Sequence, residues 1–281
     1  VSGKTGVSKP IGVRWIDCDK GDASQRNVRS RLVVQETKRV SELESGVATF
    51  AATPPLEALR LLFSLAMTLP RPAGDEWVIV FIDVSRTHPH CENTRHVVIE
   101  LPEEAGYTKE FVGVLVKCLY GQRDAFQLFE MKLLEVLTGC GFAQGKFSPC
   151  LYYNARRQAR SWIHGDDIVT LCPRSAVTAL VEGIAKHLMI KVTALLGPRQ
   201  ACRGGTDDGS ARIMNRLISW QCGFNGESDA ITWEADPRHD QIIVKQLGLQ
   251  GVRSKSMSTP GSKDVEKVAE MPLSQAEHKQ Y

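Results

Sequence analysis

Three aspartates occupy places where a bare carboxylate is hard to keep. Asp83 ends the apolar run Trp77–Val84, and Asp166 and Asp167 follow Gly165 at the turn between Trp162-Ile163-His164 and Ile168-Val169. A carboxylate among buried strand residues is costly unless it is paired or holds a metal. If the two strands are neighbours, the three carboxylates converge, and hard oxygen ligands of this kind suit Mg²⁺ or Mn²⁺. Such a site fits in-line nucleotidyl transfer, with two ions flanking the attacking 3′-hydroxyl and the leaving pyrophosphate. Gly165 lets the turn carry the carboxylates close to a substrate backbone. Plainer readings stand beside this one. An Asp-Asp pair is a common turn former. A metal-dependent nuclease or phosphatase could use the same carboxylates for water attack, but no His or Glu is placed near both aspartate motifs to position the water.

Other chemistry-bearing residues are less organised. His88, His90, Cys91 and His96 invite a zinc reading, yet they lack the paired spacing and second pair of a structural zinc site. The cysteines at 18, 91, 118, 140, 150, 172, 202 and 222 form no CxxC pair, which points to free thiols in a reducing compartment. The net charge of +3 excludes little by itself. Its distribution says more: residues 1–40 carry nine Lys/Arg against four Asp/Glu. Arg26, Arg29, Arg31, Lys38 and Arg39 make a plausible phosphate-facing stripe, or else a solvated basic face. No apolar run approaches the length that crosses a bilayer, so no membrane partner is expected. The chain starts at Val1 and ends in a polar run, and both ends look cut from something longer.

The elements that must position these residues can be sketched from periodicity. Ile11–Ile16 and Arg31–Gln35 read as short strands, and Leu56–Met67 as a helix behind Pro54-Pro55. Trp77–Val84 is apolar throughout and reads as a strand buried on both faces. Glu92–Leu101 and Gly113–Cys118 read as strands, Asp124–Thr138 as a helix, and Pro149–Asn154 as a strand. Arg160–His164 and Ile168–Cys172 form a hairpin around the Gly-Asp turn. A helix over 174–187, a strand at Met189–Thr193 and a glycine-rich loop from Gly197 to Ser210 follow. Ile213–Trp220 pairs with Ala230–Trp233, and Pro237–Leu247 is a helix. The five tryptophans (15, 77, 162, 220 and 233) lie in strand-like runs and read as core. Strands and helices without regular βαβ alternation predict an α+β fold.

The order of short motifs resembles that of copia-like reverse transcriptases of long-terminal-repeat retrotransposons along nearly the whole chain. Ile11-Gly12-Val13-Arg14-Trp15 and Arg31-Leu32-Val33-Val34-Gln35 are similar to the opening signature. Thr49-Phe50-Ala51-Ala52 with Leu59-Arg60-Leu61-Leu62 is similar to the next block. Ile82-Asp83-Val84 stands where the family has its first catalytic aspartate. Lys117-Cys118-Leu119-Tyr120-Gly121-Gln122-Arg123-Asp124-Ala125 resembles the K-S-L-Y-G-L-K-Q-A block. Gly141-Phe142 and Ser148-Pro149-Cys150-Leu151-Tyr152 match the approach to the catalytic hairpin, and Ser258-Thr259-Pro260 the exit.

The resemblance implies a right-hand polymerase that copies an RNA or DNA template from a primer with dNTPs and two Mg²⁺ or Mn²⁺ ions. It implies fingers over 1–75, a palm over 76–200 with a fingers insertion near 92–120, a primer grip and thumb start over 201–260, and a linker or truncated tail over 261–281. Asp83 and Asp166 would hold the metals, with Asp167 completing the cluster. Gly121 would let the backbone approach the nucleotide beside Tyr120. Arg29 and Arg31 are candidates for the triphosphate, on charge and position. Arg26, Lys38, Arg39 and Trp220 are candidate nucleic-acid contacts, Trp220 lying in the expected primer grip. Integrase and RNase H of the same polyprotein would be partners. The setting would be intracellular, in a cytoplasmic virus-like particle or the nucleus, and not secreted.

Three departures bear on activity. Gly165 replaces the usual residue before Asp-Asp, and His88 followed by Pro89 stands where a bulky aromatic excludes the ribose 2′-hydroxyl. Phe126 replaces a proline. With Pro89 biasing it toward extended backbone, His88 is expected to be a weak sugar gate. These departures keep open a diverged, inactive remnant that at most binds nucleic acid.

Overall fold

The computed structural model describes residues 9–21, 25–37, 49, 51–108, 110–200, 204–223 and 228–250. It divides into two units, Val1–Ala235 and Asp236–Tyr281.

The first unit is organised by one strand. In β3 (Trp77–Val84) every residue but Asp83 is buried. Side chains alternate across a strand, so Val78, Val80, Ile82 and Val84 enter one core while Trp77, Ile79 and Phe81 enter another. The first core lies under α2 (Ala125–Gly139) and α3 (Val177–Ala185), which contribute Phe129, Leu133, Leu137, Leu180 and Ile184. The second lies under α1 (Leu56–Thr68), whose Leu59, Leu62, Phe63 and Ala66 recur at helical spacing. The run reads as continuously apolar because both faces of the strand are covered.

Five strands complete the sheet with β3: β6 (Ala143–Gln144), β7 (Leu151–Asn154), β8 (Ala159–His164), β9 (Asp167–Pro173) and β10 (Ile190–Leu196). Their order is β10-β3-β9-β8-β7-β6 and every pairing is antiparallel. With four α-helices among the described residues, the α+β expectation holds. Two ribbons, β1 (Val13–Asp19) with β2 (Val28–Val34) and β4 (Val98–Glu100) with β5 (Val112–Val114), share a small core of Ile11, Val34, Val97 and Ile99. A three-stranded sheet, β11 (Ser210–Ile213), β12 (Arg216–Gln221) and β13 (Ala230–Ala235), closes over the second core. In the second unit, α4 (Pro237–Gln246) starts behind Asp236, whose side chain accepts the Arg238 backbone N–H.

Several expectations are corrected. The strands read over 92–101 and 113–118 shrink to β4 and β5, because the Asn93 side-chain amide takes the carbonyls of Leu115 and Lys117 at 2.9 and 2.8 Å in place of a ladder. The single strand read over 213–220 is two strands, broken by left-handed Met214 and Asn215. The helix read over 174–187 opens as a 3₁₀ turn and becomes α-helical only at Val177. Trp15, read as core, is 46% exposed.

Candidate active site

The hairpin between β8 and β9 turns on Gly165-Asp166, with Gly165 at φ +61 as a two-residue loop with glycine first requires. The turn carries Asp166 beyond the sheet end and returns Asp167 to the ladder. There Asp167 pairs with His164 on one side and with Asp83 on the other. Asp83 in turn pairs with Lys191 of β10. Directly paired residues share a face, so His164, Asp167, Asp83 and Lys191 form one row. The Asp166 carbonyl accepts the Val84 N–H at 2.9 Å, which fixes the turn against β3. Thus the two strands that were expected to be neighbours are neighbours, in register at their aspartates.

The row is electrostatically unbalanced. Among the described residues no ion pair involves Asp83, Asp166 or Asp167, and Lys191 closes none. Among the described residues the Asp83 carboxylate accepts only a long hydrogen bond, from the Ser85 hydroxyl at 3.5 Å. Burial, then the charges of Asp166 and Asp83, push the Asp167 carboxyl up to about 6. Stacking of the His164 ring on Trp162, with centroids 5.8 Å apart, braces the far end.

A second group lies near the same end of the six-stranded sheet, His88 feeling the charges of both Asp166 and Arg31. Arg14, Arg29 and Arg31 lie on one face of the β1–β2 ribbon by register and alternation. The Arg31 guanidinium stands 4.9 Å over the Tyr120 ring. Tyr120 stacks on His88 at 4.7 Å, and Phe126 meets His88 edge-on at 4.7 Å. Burial holds His88 below the usual imidazole range; the charge of Asp166 opposes this and that of Arg31 assists. Gly121, at φ +87, lies so close to β2 that an added Cβ would collide with the Val34 carbonyl. Any other residue there would push the ribbon away.

A family model described as reverse transcriptase (RNA-dependent DNA polymerase) matches residues 3–194. The chain belongs to the reverse transcriptase family. No curated protein matches it. Membership implies a nucleotidyltransferase that binds a nucleic-acid template and dNTPs and uses divalent metals. No helix among the described residues is long and apolar enough to cross a membrane.

For a reverse transcriptase, the donor chemistry here fits a hard divalent cation: neighbouring carboxylates, no counter-charge paired to them among the described residues, and one carboxyl driven toward protonation by burial and then by the charges of the other two. The three side chains are not closed into a ready-made cage, since no such group of three or more ligands occurs among the described residues.

Two expected site residues are placed otherwise. Trp220, expected to touch nucleic acid, is 5% exposed in the second core and donates its indole N–H to Asp229 at 3.1 Å. His88, expected to face the sugar, is 3% exposed beneath Tyr120 and Phe126, and begins a 3₁₀ turn rather than an extended stretch. Arg26 is exposed and reaches Asp19 at 4.0 Å. Lys38 and Arg39 lie outside the described residues. Three basic residues escaped the sequence reading: Arg14 and Lys191, whose positions need strand register, and Arg86, exposed with φ 55 just beyond Asp83. Arg86 carries a signal only in its nearness to Asp83.

Proposed function

We propose that this chain is a catalytically competent polymerase core of a copia-like retrotransposon reverse transcriptase. The observation that carries the reading is the in-register pair Asp83–Asp167, with Asp166 at the adjoining turn and, among the described residues, no cationic side chain paired to any of them. A folded protein that keeps three neighbouring carboxylates unmatched at a strand end pays a stability cost, which function explains better than architecture. The ordered copia-like motifs add support, as does the basic ribbon face over Tyr120.

In this reading the primer 3′-oxygen attacks the α-phosphorus of a dNTP, the bond to pyrophosphate breaks, and the hydroxyl proton is lost. Asp83 and Asp166, with Asp167 beside them, would hold two Mg²⁺ or Mn²⁺ ions. When bound, these ions supply charge stabilisation for the attacking and leaving oxygens. Arg29 and Arg31, with Arg14 on the same face, attract and orient the triphosphate. Tyr120 offers a flat wall, and Gly121 leaves the backbone room to approach the nucleotide. Asp167, driven toward protonation in the free protein, would have to be ionised to serve beside a bound cation. Segments 1–75 act as fingers, 76–200 as palm with the insertion near 92–120, and 201–260 as primer grip and thumb start. Integrase and RNase H of the same polyprotein are the natural covalent partners.

The deciding experiment is primer extension on RNA and DNA templates, with Mg²⁺ and with Mn²⁺. Extension that disappears in Asp166→Asn supports the reading. Retention of nucleic-acid binding without extension under any metal would make the chain an inactive remnant. Degradation of the template that depends on Asp83 would make it a nuclease.

A further inference from the structure

Arg95 is the hub of a largely buried ion-pair cluster. Its side chain is 20% exposed, against 0% for Glu36 and 3% for Asp124. Nε donates to Asp124 Oδ2 at 2.7 Å and Nη2 to Asp124 Oδ1 at 2.8 Å, a two-pronged grip. Nη2 also donates to Glu36 Oε2 at 2.6 Å, and that oxygen accepts the Arg123 backbone N–H at 2.9 Å. Asp124 stands at the N-terminus of α2 yet makes no capping hydrogen bond there. Its carboxylate is turned to Arg95 instead.

Two of the three segments joined carry the nucleotide-side residues, and the third is bonded to the second of them. Glu36 lies two residues past Val34, whose N–H donates to the Tyr120 carbonyl at 2.7 Å, and β2 carries Arg29 and Arg31. Arg123 and Asp124 directly follow Tyr120-Gly121. Asn93, two residues before Arg95, accepts the Gln122 side-chain amide at 2.7 Å. A slip of β2 against this block would take Arg31 off the Tyr120 ring. An apolar cluster could hold segments together as firmly as a buried ion pair; the guanidinium fork adds directional grip on three oxygens at once. We infer that Arg95 is a positioning residue for the nucleotide-binding face, acting through Glu36 and Asp124 on the seating of β2 over Tyr120-Gly121. The inference rests on the polymerase reading.

Arg95→Lys keeps the charge and loses the fork. At saturating primer–template, below the unfolding temperature of both proteins, KM for dNTP should rise about tenfold with kcat within about twofold. Glu36→Gln, which keeps an oxygen for the Arg123 N–H, should give a smaller rise in the same sense. A lower melting temperature with KM unchanged, or a fall in kcat alone, overturns the inference and leaves Arg95 a structural pin. If the wild-type chain extends no primer, the polymerase reading fails and amide exchange at Val34 decides the seating claim. Faster exchange in Arg95→Lys sustains it, and unchanged exchange overturns it.

Discussion

Carboxylates lie at both ends of the β3–β9 pair, and the two ends are built oppositely. At the Trp77 end, Glu76 accepts Arg174 at 3.3 Å and Arg199 at 2.6 Å. Asp207, fully buried, takes both prongs of the Arg174 guanidinium. Burial opposes the charge of Asp75, but hydrogen bonds from Ser175 and the Glu76 N–H, with Arg174 nearby, outweigh it and hold that carboxyl below its usual range. At the Asp83 end, three carboxylates gather with no arginine or lysine paired to them among the described residues. Strand pairing, twist and core are shared, so the contrast lies in the side chains. Where carboxylates serve the fold they are matched, and where they are left unmatched something outside the chain is expected to match them.

The sharpest way to break this contrast is to neutralise one carboxylate at each end. Asp83→Asn should lower nucleotide addition by about a thousandfold or more, with the melting temperature unchanged or slightly raised as repulsion is relieved. Asp207→Asn should do the reverse, costing about 2 kcal/mol of stability by removing the charge from one of the two carboxylates that hold the largely buried Arg174, with per-molecule activity largely kept well below melting. Primer extension and denaturant unfolding on both variants read the outcome. Equal stability losses at the two ends would erase the distinction.

A smaller effect tests whether the charge missing from the site is supplied from across it. If Arg14, Arg29 and Arg31 face phosphates, primer–template affinity should fall as salt rises, and Arg29→Ala should reduce the log–log slope by about one. A slope unchanged by that substitution would place the ribbon face away from nucleic acid.

Smaller again is the proton linkage of Asp167. Its folded value, about 6, lies above the ordinary 3.8. The folded state therefore holds an extra proton between these values, and the stability this contributes is full below the lower one and lost as pH rises through the upper. Without divalent cation, the melting temperature should fall by a few degrees between pH 4 and pH 7, relative to Asp167→Asn (about these limits, from the linkage relation). Added Mg²⁺ should restore it at the neutral end. An identical pH profile in the variant would mean that Asp167 titrates normally.

How much of this could be read from the chain differs by residue. The aspartates were legible because each interrupts or ends an apolar strand-like run, and Gly165 marks the turn between two such runs. The α1, β3 and α2 spans were legible because packing and periodicity agree. The overrun at 92–101 comes from apolar alternation that says nothing of Asn93 capturing the Leu115 and Lys117 carbonyls just past β5. Lys191 and Arg14 join their rows only through pairing register, and Arg95 finds Glu36 and Asp124 only through long-range folding. Trp220 was given a binding role by its place in the motif order, whereas Ile218 and the α1 side chains draw its strand into the core.

The smallest effect is expected at His88, where motif register and packing point in different directions. Counting from Asp83 places His88 at the sugar-excluding position, and a histidine there would make a permissive gate that phenylalanine tightens. The folded chain covers the ring instead: Tyr120 lies on one face, Phe126 meets it edge-on, and Thr87 Oγ1 lies 3.1 Å from Nδ1. A phenylalanine is planar but somewhat larger; it would keep both ring contacts, lose the Thr87 partner and press on the seat. His88→Phe should therefore leave the dNTP-over-rNTP preference within about twofold of wild type and cost about 1–2 kcal/mol of stability. Because burial also keeps the imidazole neutral, that preference should be flat between about pH 6.5 and 8 in both proteins. Tyr120→Ala is the informative contrast, since it removes the wall that His88 supports and should change the preference more than His88→Phe does. Competing dNTP and rNTP in single-nucleotide extension measures all three chains. A severalfold gain in selectivity for His88→Phe, with Tyr120→Ala neutral, would mean that His88 leaves its aromatic seat to meet the sugar.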